Sequence, residues 1–243
     1  MSACFESTGR VIADRRLRML GELDTCIASA ATMNDLGNSI SKAFTFNAYD
    51  VPFALVYFCS VDFGIPKFDT GLERRSTSDS DFSELETSTL RFNYTLQSTV
   101  GIPEEHPLAP PVATSSDNHV WPFKMMATEP TELEVTLSVE SLEGIQHQGW
   151  PDLPSSAVAV PIFGARESNG KCIMTGMLIM GLNPRRVFDD DYLSWIRICS
   201  RHIAAAMNVM RGLENAARKA EVLATQNRNR TDFLNTFVSS FQC

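Results

Sequence analysis

The residues that most often carry catalysis are few in this chain and far apart in sequence. Nucleophilic and general acid–base catalysis need a nucleophile within reach of a base, or two carboxylates in one pocket. The histidines form no such pattern, since His106, His119 and His147 fall in loop-like stretches and His202 falls on a long predicted helix. We therefore expect a non-catalytic protein. His202 is interpreted as a helix-surface or interface residue, and His147 is the histidine best placed to touch a ligand.

The cysteines, acids and glycines also lack the spacing of a metal or nucleotide site. The six cysteines include no CxxC pair, and no histidine lies at ligand spacing from any of them. Neither a zinc site nor a disulfide framework is therefore expected. Cys59 and Cys172 lie in apolar runs and are interpreted as core thiols. The acids at 189–191 are typical of a helix start, and the glycines between 164 and 170 lack phosphate-loop spacing. No metal and no cofactor is predicted.

Charge and hydropathy exclude two classes of partner. The formal net charge of -8 disfavours nucleic acid, because phosphate binding requires a basic face. No apolar run approaches the roughly 20 residues that span a bilayer, and the N-terminal residues lack the apolar core of a secretory signal. Scattered cysteines fit a reducing compartment. We predict a cytoplasmic protein that binds neither nucleic acid nor membrane.

Apolar periodicity predicts the elements of the first half. Between residues 16 and 44 the apolar positions recur every three or four residues, which predicts an amphipathic helix that Gly37 dents or divides. Residues 53–59 form a short apolar and aromatic run typical of a central strand. Residues 69–88 are rich in Ser, Thr, Asp and Glu and are predicted to be a mobile insertion. The alternation at 89–97 predicts a half-exposed strand.

The following segments predict a loop, a further strand and a hairpin. Four prolines between residues 101 and 116 predict a loop, and the alternation at 134–142 predicts a strand, with a helix as the alternative. Residues 156–163 and 171–182 are predicted to pair as a hairpin around a polar tip. A long helix follows the acids at 189–191. The apolar stripe of this helix has nearly heptad spacing, so we expect the helix to pair with a copy of itself. The residues of the stripe are Tyr192, Ile196, Cys199, Ile203, Met207, Met210 and Leu213.

Three segments resemble one protein family. They are VPFALVY at residues 51–57, SAVAVPI at 156–162 and GLNPRRVFDDDY at 181–192. The third is similar to a hallmark of the GAF domains that precede the kinase core in fungal and bacterial hybrid sensor histidine kinases. The order of helix, strand, strand, hairpin and long helix is also that of a GAF domain. The resemblance implies an α+β fold, with a GAF/PAS-like antiparallel sheet, flanking helices and a long C-terminal helix.

The resemblance changes near the end of the sequence. In such kinases the exit helix continues as a charged linker, which residues 218–224 resemble, and then as a phosphoacceptor helix, whose opening residues 231–235 resemble. Aligning Phe233 and Phe241 with the phenylalanines of that family puts Ser239 where it has the phosphorylated histidine. Ser240 then lies where the family has a glutamate, and nothing in the sequence matches the ATP-binding domain. We therefore expect no autophosphorylation by this sequence.

These observations predict a flexible N-terminus at 1–17, a GAF-like sensory domain at 18–212 and a signalling or coiled-coil helix at 213–243. The resemblance implies a non-catalytic module of a two-component-type signalling protein, which binds a small molecule or partner and acts as a homodimer or as a heterodimer with a related histidine kinase. The alternatives are a pure dimerisation or scaffold module and a non-functional kinase fragment. A pocket between the sheet and its covering loops is expected to have aromatic walls: Tyr57, Phe92, Trp121 and Trp150.

Overall fold

The chain folds into one antiparallel sheet between a helical layer and a layer of loops. The structure is a computed structural model that describes residues 2–62, 91–146, 148–166, 170 and 172–240. Two short 3-10 turns, Thr45–Asn47 and Glu140–Leu142, accompany the main elements. In chain order these are α1 (Ser2–Ala28), α2 (Met33–Phe44), β1 (Ala54–Asp62), β2 (Arg91–Val100), β3 (Val112–Thr114), α3 (Phe123–Thr128), β4 (Leu133–Thr136), β5 (Ser156–Arg166), β6 (Cys172–Gly181) and α4 (Asp190–Ser240).

The sheet confirms the hairpin and the strands predicted at 53–59 and 89–97. The strand predicted at 134–142 ends at Thr136, and β3 lies within the segment predicted to be a loop, residues 101–116. Its strand order is β3-β2-β1-β6-β5-β4, and all neighbouring pairs are antiparallel. β1 is central, as expected for a short run that is apolar on both faces. β5 and β6 form the predicted hairpin, with Ala157 opposite Gly181 at its open end. The predicted α+β class, with flanking helices and a long C-terminal helix, is confirmed.

Alternation along the strands builds two hydrophobic cores, one on each face of the sheet. On β1, Ala54 and Val56 face the layer of α1, α2 and α4, while Leu55 and Tyr57 face the loops and α3. β5 and β6 alternate in the same way, with side chains in both cores. The loop-side core is the richer in aromatic side chains, which come from the strands, from α3 and from the covering loops.

The predicted helix at residues 16–44 is divided, but not at Gly37. The break lies between Ala28 and Met33, where Thr32 and Asp35 form a capping box that starts α2. Gly37 lies inside α2, where a Cβ atom would be 3.0 Å from the Gln97 carbonyl oxygen. This glycine therefore permits close packing of α2 on β2 rather than ending a helix.

The start of α4 is as predicted, but the role of its first apolar stripe is not. The Tyr192 N–H donates to the Asp189 carboxylate at 2.8 Å, which caps the helix. The stripe from Tyr192 to Met210 is at most 8% exposed and packs in the helix-side core of the same chain. The expectation that these residues pair with a second copy is therefore wrong. An amphipathic helix has the same spacing whether it packs on a sheet or on another helix.

Beyond this packed part, α4 continues without interruption across the predicted boundary at 212/213. Every residue from Gly212 to Thr231 is exposed, including Leu213 and Leu223 at 61% and 59%. We call this stretch the projecting half of α4. An isolated helix draws little stability from its own hydrogen bonds in water, and most helices in proteins are stabilised by packing.

Helix α1 differs from the predicted flexible N-terminus. It begins at Ser2, well before the predicted domain boundary at residue 18. Arg16 is only 7% exposed, so the helix packs on the domain before that boundary. No helix in the described ranges is long and apolar enough to cross a membrane. The predicted mobile insertion at 69–88 and His147 lie outside the described residues.

Candidate functional site

Three of the four aromatic residues predicted to line a pocket meet in the loop-side core. Tyr57 and Trp121 are 0% and 1% exposed, and Phe92 lies in the same core. Phe123 of α3 packs edge-on against Tyr57, with ring centroids 5.3 Å apart. We call Tyr57, Phe92, Trp121 and Phe123 the aromatic cluster. It occupies the place between sheet and covering loops where a ligand pocket was expected.

The polar atoms of the aromatic cluster are satisfied by the covering loops. The Tyr57 hydroxyl donates to the Pro110 carbonyl at 3.2 Å, and the Trp121 indole N–H donates to the Leu108 carbonyl at 2.6 Å. Burial raises the pKa of Tyr57, so this hydroxyl stays protonated. A buried aromatic group whose N–H or O–H is paired usually stabilises a core. The cluster is therefore filled by its own side chains in this conformation.

Two histidines fix the loop that covers this cluster. His106 Nδ1 accepts the Leu108 N–H at 3.1 Å, and its Nε2 lies 2.9 Å from the Glu143 carbonyl. His119 makes the same pair of contacts, with Nδ1 3.3 Å from the Trp121 nitrogen and Nε2 3.2 Å from the Pro107 oxygen. Both geometries require a neutral ring with the proton on Nε2. Burial lowers the pKa of His119, which favours that neutral form.

Trp150, the fourth predicted residue, lies elsewhere. Its indole N–H donates to the Tyr49 carbonyl at 3.1 Å, and the two rings are 4.9 Å apart. The Arg185 guanidinium stacks on it, with its central carbon 4.5 Å from the ring centroid. Trp150 therefore belongs to the surroundings of the turn between β6 and α4.

A second set of residues joins α1, the loop before β1, the end of β6 and the start of α4. At its centre is Asp50, a carboxylate with 0% exposure. Buried carboxylates are rare unless they are paired and hydrogen-bonded. We call this set the junction cluster: Arg15, Arg16, Asn47, Asp50, Asn183 and Tyr192.

The Asp50 carboxylate is held from three directions. Nδ2 of Asn47 and Nδ2 of Asn183 each donate to one of its oxygens at 3.1 Å. Nη2 of Arg15 lies 3.3 Å from both oxygens, and Nε of Arg16 lies 3.8 Å from one of them. One buried charge therefore links a strand end and the N-terminal helix to the loop before β1.

Tyr192 extends the junction cluster into α4. Its hydroxyl donates to the backbone carbonyl of Asp50 and accepts the N–H of Asn183 at 3.1 Å. Burial raises the pKa of this hydroxyl, so it stays a donor at neutral pH. The Arg16 guanidinium carbon lies 4.3 Å from the Tyr192 ring centroid and 4.8 Å from that of Trp195. Movement of α4 at its start would therefore disturb α1 and the loop before β1.

Arg16 is the most constrained cation of the junction cluster. Its side chain is 8% exposed, and its Nε and Nη2 atoms have no hydrogen-bond partner within the described part of the chain. Burial lowers its pKa, while the nearby Asp50 carboxylate acts in the opposite direction. The ring contacts replace part of the lost hydration, since desolvated cation–π pairs contribute about 2 kcal/mol.

Sequence reasoning found only the C-terminal half of this cluster. Asn183 and Tyr192 stand in the GLNPRRVFDDDY segment, whose resemblance pointed to a family without giving the residues a role. Asp50 and Asn47 were missed because they precede the first strand, where polar residues are common.

Cys59 and His202, two side chains of types that can take part in catalysis, lie outside both clusters. The Cys59 thiol lies in the loop-side core, where burial raises its pKa to about 12, so it stays protonated. His202 lies between α4 and α1, with Nδ1 2.5 Å from the Asp24 carboxylate. No group of three or more metal-ligating side chains occurs among the described residues.

Comparison with solved structures finds chains of similar shape. The GAF domain from a phosphoenolpyruvate-protein phosphotransferase of Coxiella burnetii is 11% identical, with a TM-score of 0.47, over 82% of this chain and 98% of that one. The phycoerythrobilin-bound GAF domain from a cyanobacterial phytochrome is also 11% identical, with a TM-score of 0.46, over 84% and 99%. Reduced fRMsr of Staphylococcus aureus is 14% identical, with a TM-score of 0.46, over 79% and 94%.

These likenesses concern the fold alone. The chain matches no protein-family model. No curated protein matches it in sequence.

Proposed function

We propose that this chain is a non-catalytic sensory or regulatory domain of a two-component-type signalling protein, which binds a small molecule or a partner and relays binding through paired helices. One observation carries the proposal. A single helix, α4, runs from the junction cluster through the helix-side core into the fully exposed projecting half. Because an α-helix is stiff over this length, a change at its packed start is transmitted to its exposed end.

The junction cluster supports the relay. Asp50, Asn183 and Tyr192 couple the loop before β1, the end of β6 and the start of α4 through hydrogen bonds that are all buried. Because these buried hydrogen bonds share Asp50 and Asn183, displacement of one of the three residues shifts the others. A ligand that changes the sheet would therefore reposition the terminal helices, provided that it binds the two arrangements with different affinity.

The projecting half of α4 supports helix pairing. Its residues Leu213, Ala217, Ala220 and Leu223 follow steps of four, three and three, which gives an apolar stripe on one side. A helix exposed on every side gains no tertiary packing, and a second copy or a related kinase helix would supply it. A homodimer, or a heterodimer with a related histidine kinase, is the assembly proposed here.

A matched pair of variants tests the pairing. Leu223 lies on the stripe and Val222 on the opposite side of the helix, and they are exposed to a similar degree, 59% and 51%. Leu223→Glu should reduce the dimer fraction measured by light scattering over a concentration series, and Val222→Glu should leave it near the wild-type value. A wild-type chain that is monomeric throughout, or equal effects of the two variants, would contradict the proposed relay.

A second candidate function is a dimerisation or scaffold module that binds no ligand between the sheet and its covering loops. The satisfied Tyr57 hydroxyl and Trp121 indole favour it, since a ligand at the aromatic cluster would have to replace their hydrogen bonds to Pro110 and Leu108. Binding there would require the covering loop to open. Hydrogen exchange of the Leu108 amide distinguishes the two candidates, because a sensor with an opening loop exchanges there faster than the core strands do.

A further inference from the structure

A cavity of about 490 Å³ lies beside the junction cluster, between α1 and the turn that joins β6 to α4. It is distinct from the aromatic cluster, with which it shares no lining residue. Its volume falls within the range of small-molecule sites, about 300 to 1,000 Å³. We call it the arginine pocket, after the residues that line it: Val11, Ile12, Arg15, Trp150, Asn183, Arg185 and Arg186.

The charge of this pocket is opposite to that of the chain. The formal net charge of the chain is -8, yet the pocket lining has three guanidinium groups and no carboxylate. The carboxylates that pair with these arginines, Asp50, Asp152 and Asp189, lie outside the lining. The pocket surface therefore presents guanidinium groups and no carboxylate to an anion that is small enough to enter, while an anionic polymer or surface meets repulsion from the rest of the molecule.

The three arginines keep hydrogen-bond donors for a ligand. In the described part of the chain, each guanidinium uses one nitrogen for its carboxylate: Nη2 of Arg15, Nε of Arg185 and Nη2 of Arg186. A guanidinium carries five N–H donors in a planar fork that fits carboxylate and phosphate oxygens. Nε of Arg15 is buried and has no partner among these residues. The set therefore has unfilled capacity for oxygen acceptors.

Aromatic rings contact all three guanidinium groups, and the Arg186 guanidinium carbon lies 5.6 Å from the Tyr192 ring centroid. Arg185 stacks on Trp150 at 4.5 Å, and Arg15 lies over the Tyr49 ring at 5.0 Å. Donors that are fixed before binding lose less conformational entropy when a ligand arrives. Val11 and Ile12 of α1 add an apolar wall to the pocket, and Val11 is 55% exposed. The pocket thus combines a cationic end with an apolar side.

We propose that the arginine pocket binds a small organic anion, with its carboxylate or phosphate group at the guanidinium groups of Arg185 and Arg186 and its apolar body against Trp150 and Ile12. Such a ligand would bridge α1 and the turn before α4. It would therefore act on the terminal helices directly, without passing through the aromatic cluster. This goes beyond the proposed function, because it assigns a ligand class and a position, and it holds whether or not the helices pair.

Calorimetric titration of the full chain with phenyl phosphate and with benzoate, in low-salt buffer, tests the proposal. We expect saturable one-to-one binding of at least one of them, weakened by added salt, and little heat from phenol, which lacks the charge. The probe that binds more tightly identifies phosphate or carboxylate as the preferred group. If neither anion shows saturable binding at concentrations up to about 10 mM, the proposal is overturned, because most specific ligands have dissociation constants below that value.

Charge-matched variants locate the binding. Arg185→Gln and Arg186→Gln should each weaken the better probe about tenfold or more, as expected for loss of a charge-assisted hydrogen bond. Arg218→Gln removes the same charge from the exposed projecting half and should bind like the wild type. The ion pair of Arg185 with Asp152 is exposed, so this variant is expected to fold, which circular dichroism checks. Equal affinities of the Arg185, Arg186 and Arg218 variants would refute the assignment.

Discussion

Replacing Asp50 with asparagine should destabilise the chain far more than the same change at a surface ion pair. The substitution keeps the size of the side chain but removes its charge. Asp50 is 0% exposed and is the carboxylate nearest to Arg16, whose side chain is 8% exposed. In Asp50→Asn the Arg16 charge stays buried without a counter-ion, and an amide N–H₂ replaces one acceptor among donors from Asn47 and Asn183.

The magnitude follows from these contacts. Removing one partner of a fully buried ion pair costs about 3 to 5 kcal/mol. Arg15 can turn towards solvent, since its side chain is 26% exposed, and Arg16 keeps its contacts with Tyr192 and Trp195. We therefore expect a loss near the lower limit, about 3 kcal/mol in the free energy of unfolding.

Urea unfolding followed by circular dichroism measures this loss. With an m-value of about 2 kcal/mol/M, the midpoint should fall by roughly 1.5 M. Asp152→Asn is the matched control, because its pair with Arg185 is more than 40% exposed on both sides and should be worth about 1 kcal/mol or less. If Asp50→Asn is no less stable than Asp152→Asn, the junction cluster does not hold the terminal helices as described.

Three further comparisons, each by urea unfolding, test the packing around the two clusters. Gly101 has a φ of 73°, and a Cβ there would lie 2.4 Å from a backbone oxygen. Gly101→Ala should therefore lower the free energy of unfolding by about 2 kcal/mol or more. Gly21→Ala is the control, since a Cβ at this helical position meets no atom within 4 Å, and it should raise the free energy of unfolding by about 0.5 to 1 kcal/mol. Ile203 is 0% exposed in the helix-side core, so Ile203→Ala should lower the free energy of unfolding by about 2 to 5 kcal/mol. Val209 is 62% exposed, so Val209→Ala should lower it by about 0.5 kcal/mol or less. Burial lowers the pKa of His119 below its ordinary value of 6.5. In the unfolded chain this histidine therefore binds a proton at a higher pH than in the folded chain. The contribution of the neutral ring to the free energy of unfolding is present above pH 6.5 and is lost as the pH falls towards the pKa in the folded chain. His119→Gln should therefore reduce the dependence of stability on pH in this range.

Each comparison has its own contradicting result. A wild-type stability for Gly101→Ala would mean that the loop backbone relaxes at little cost. Similar losses at Ile203 and Val209 would contradict the assignment of one to the core and the other to the surface. An unchanged pH slope in His119→Gln would place the titrating group elsewhere.

Periodicity predicted most of the fold, because burial on both faces of β1, β5 and β6 leaves a clear pattern in the sequence. It did not predict where the first helix divides, because the capping box at Thr32 and Asp35 is a local hydrogen-bond feature that leaves the apolar spacing unchanged. Nor could it separate a stripe that packs on a sheet from one that packs on another helix, as the stripe from Tyr192 to Met210 demonstrates.

The candidate site was less predictable than the fold. Residue type was enough to bring Tyr57, Phe92 and Trp121 into one core, since large aromatic side chains are buried wherever the fold allows. It failed for Trp150, which lies beside Arg185. The junction cluster depends on contacts between residues more than 130 positions apart, such as Asn183 with Asp50, and no local pattern encodes such pairs.

The central claim is that the projecting half of α4 pairs with another helix while the domain folds without it. The most direct measurement is the molar mass by light scattering of the full chain and of a chain ending at Leu213, which keeps every buried residue of the helix-side core up to Met210. We predict twice the chain mass for the former and a folded monomer for the latter. Two monomers, or two dimers, would contradict the claim.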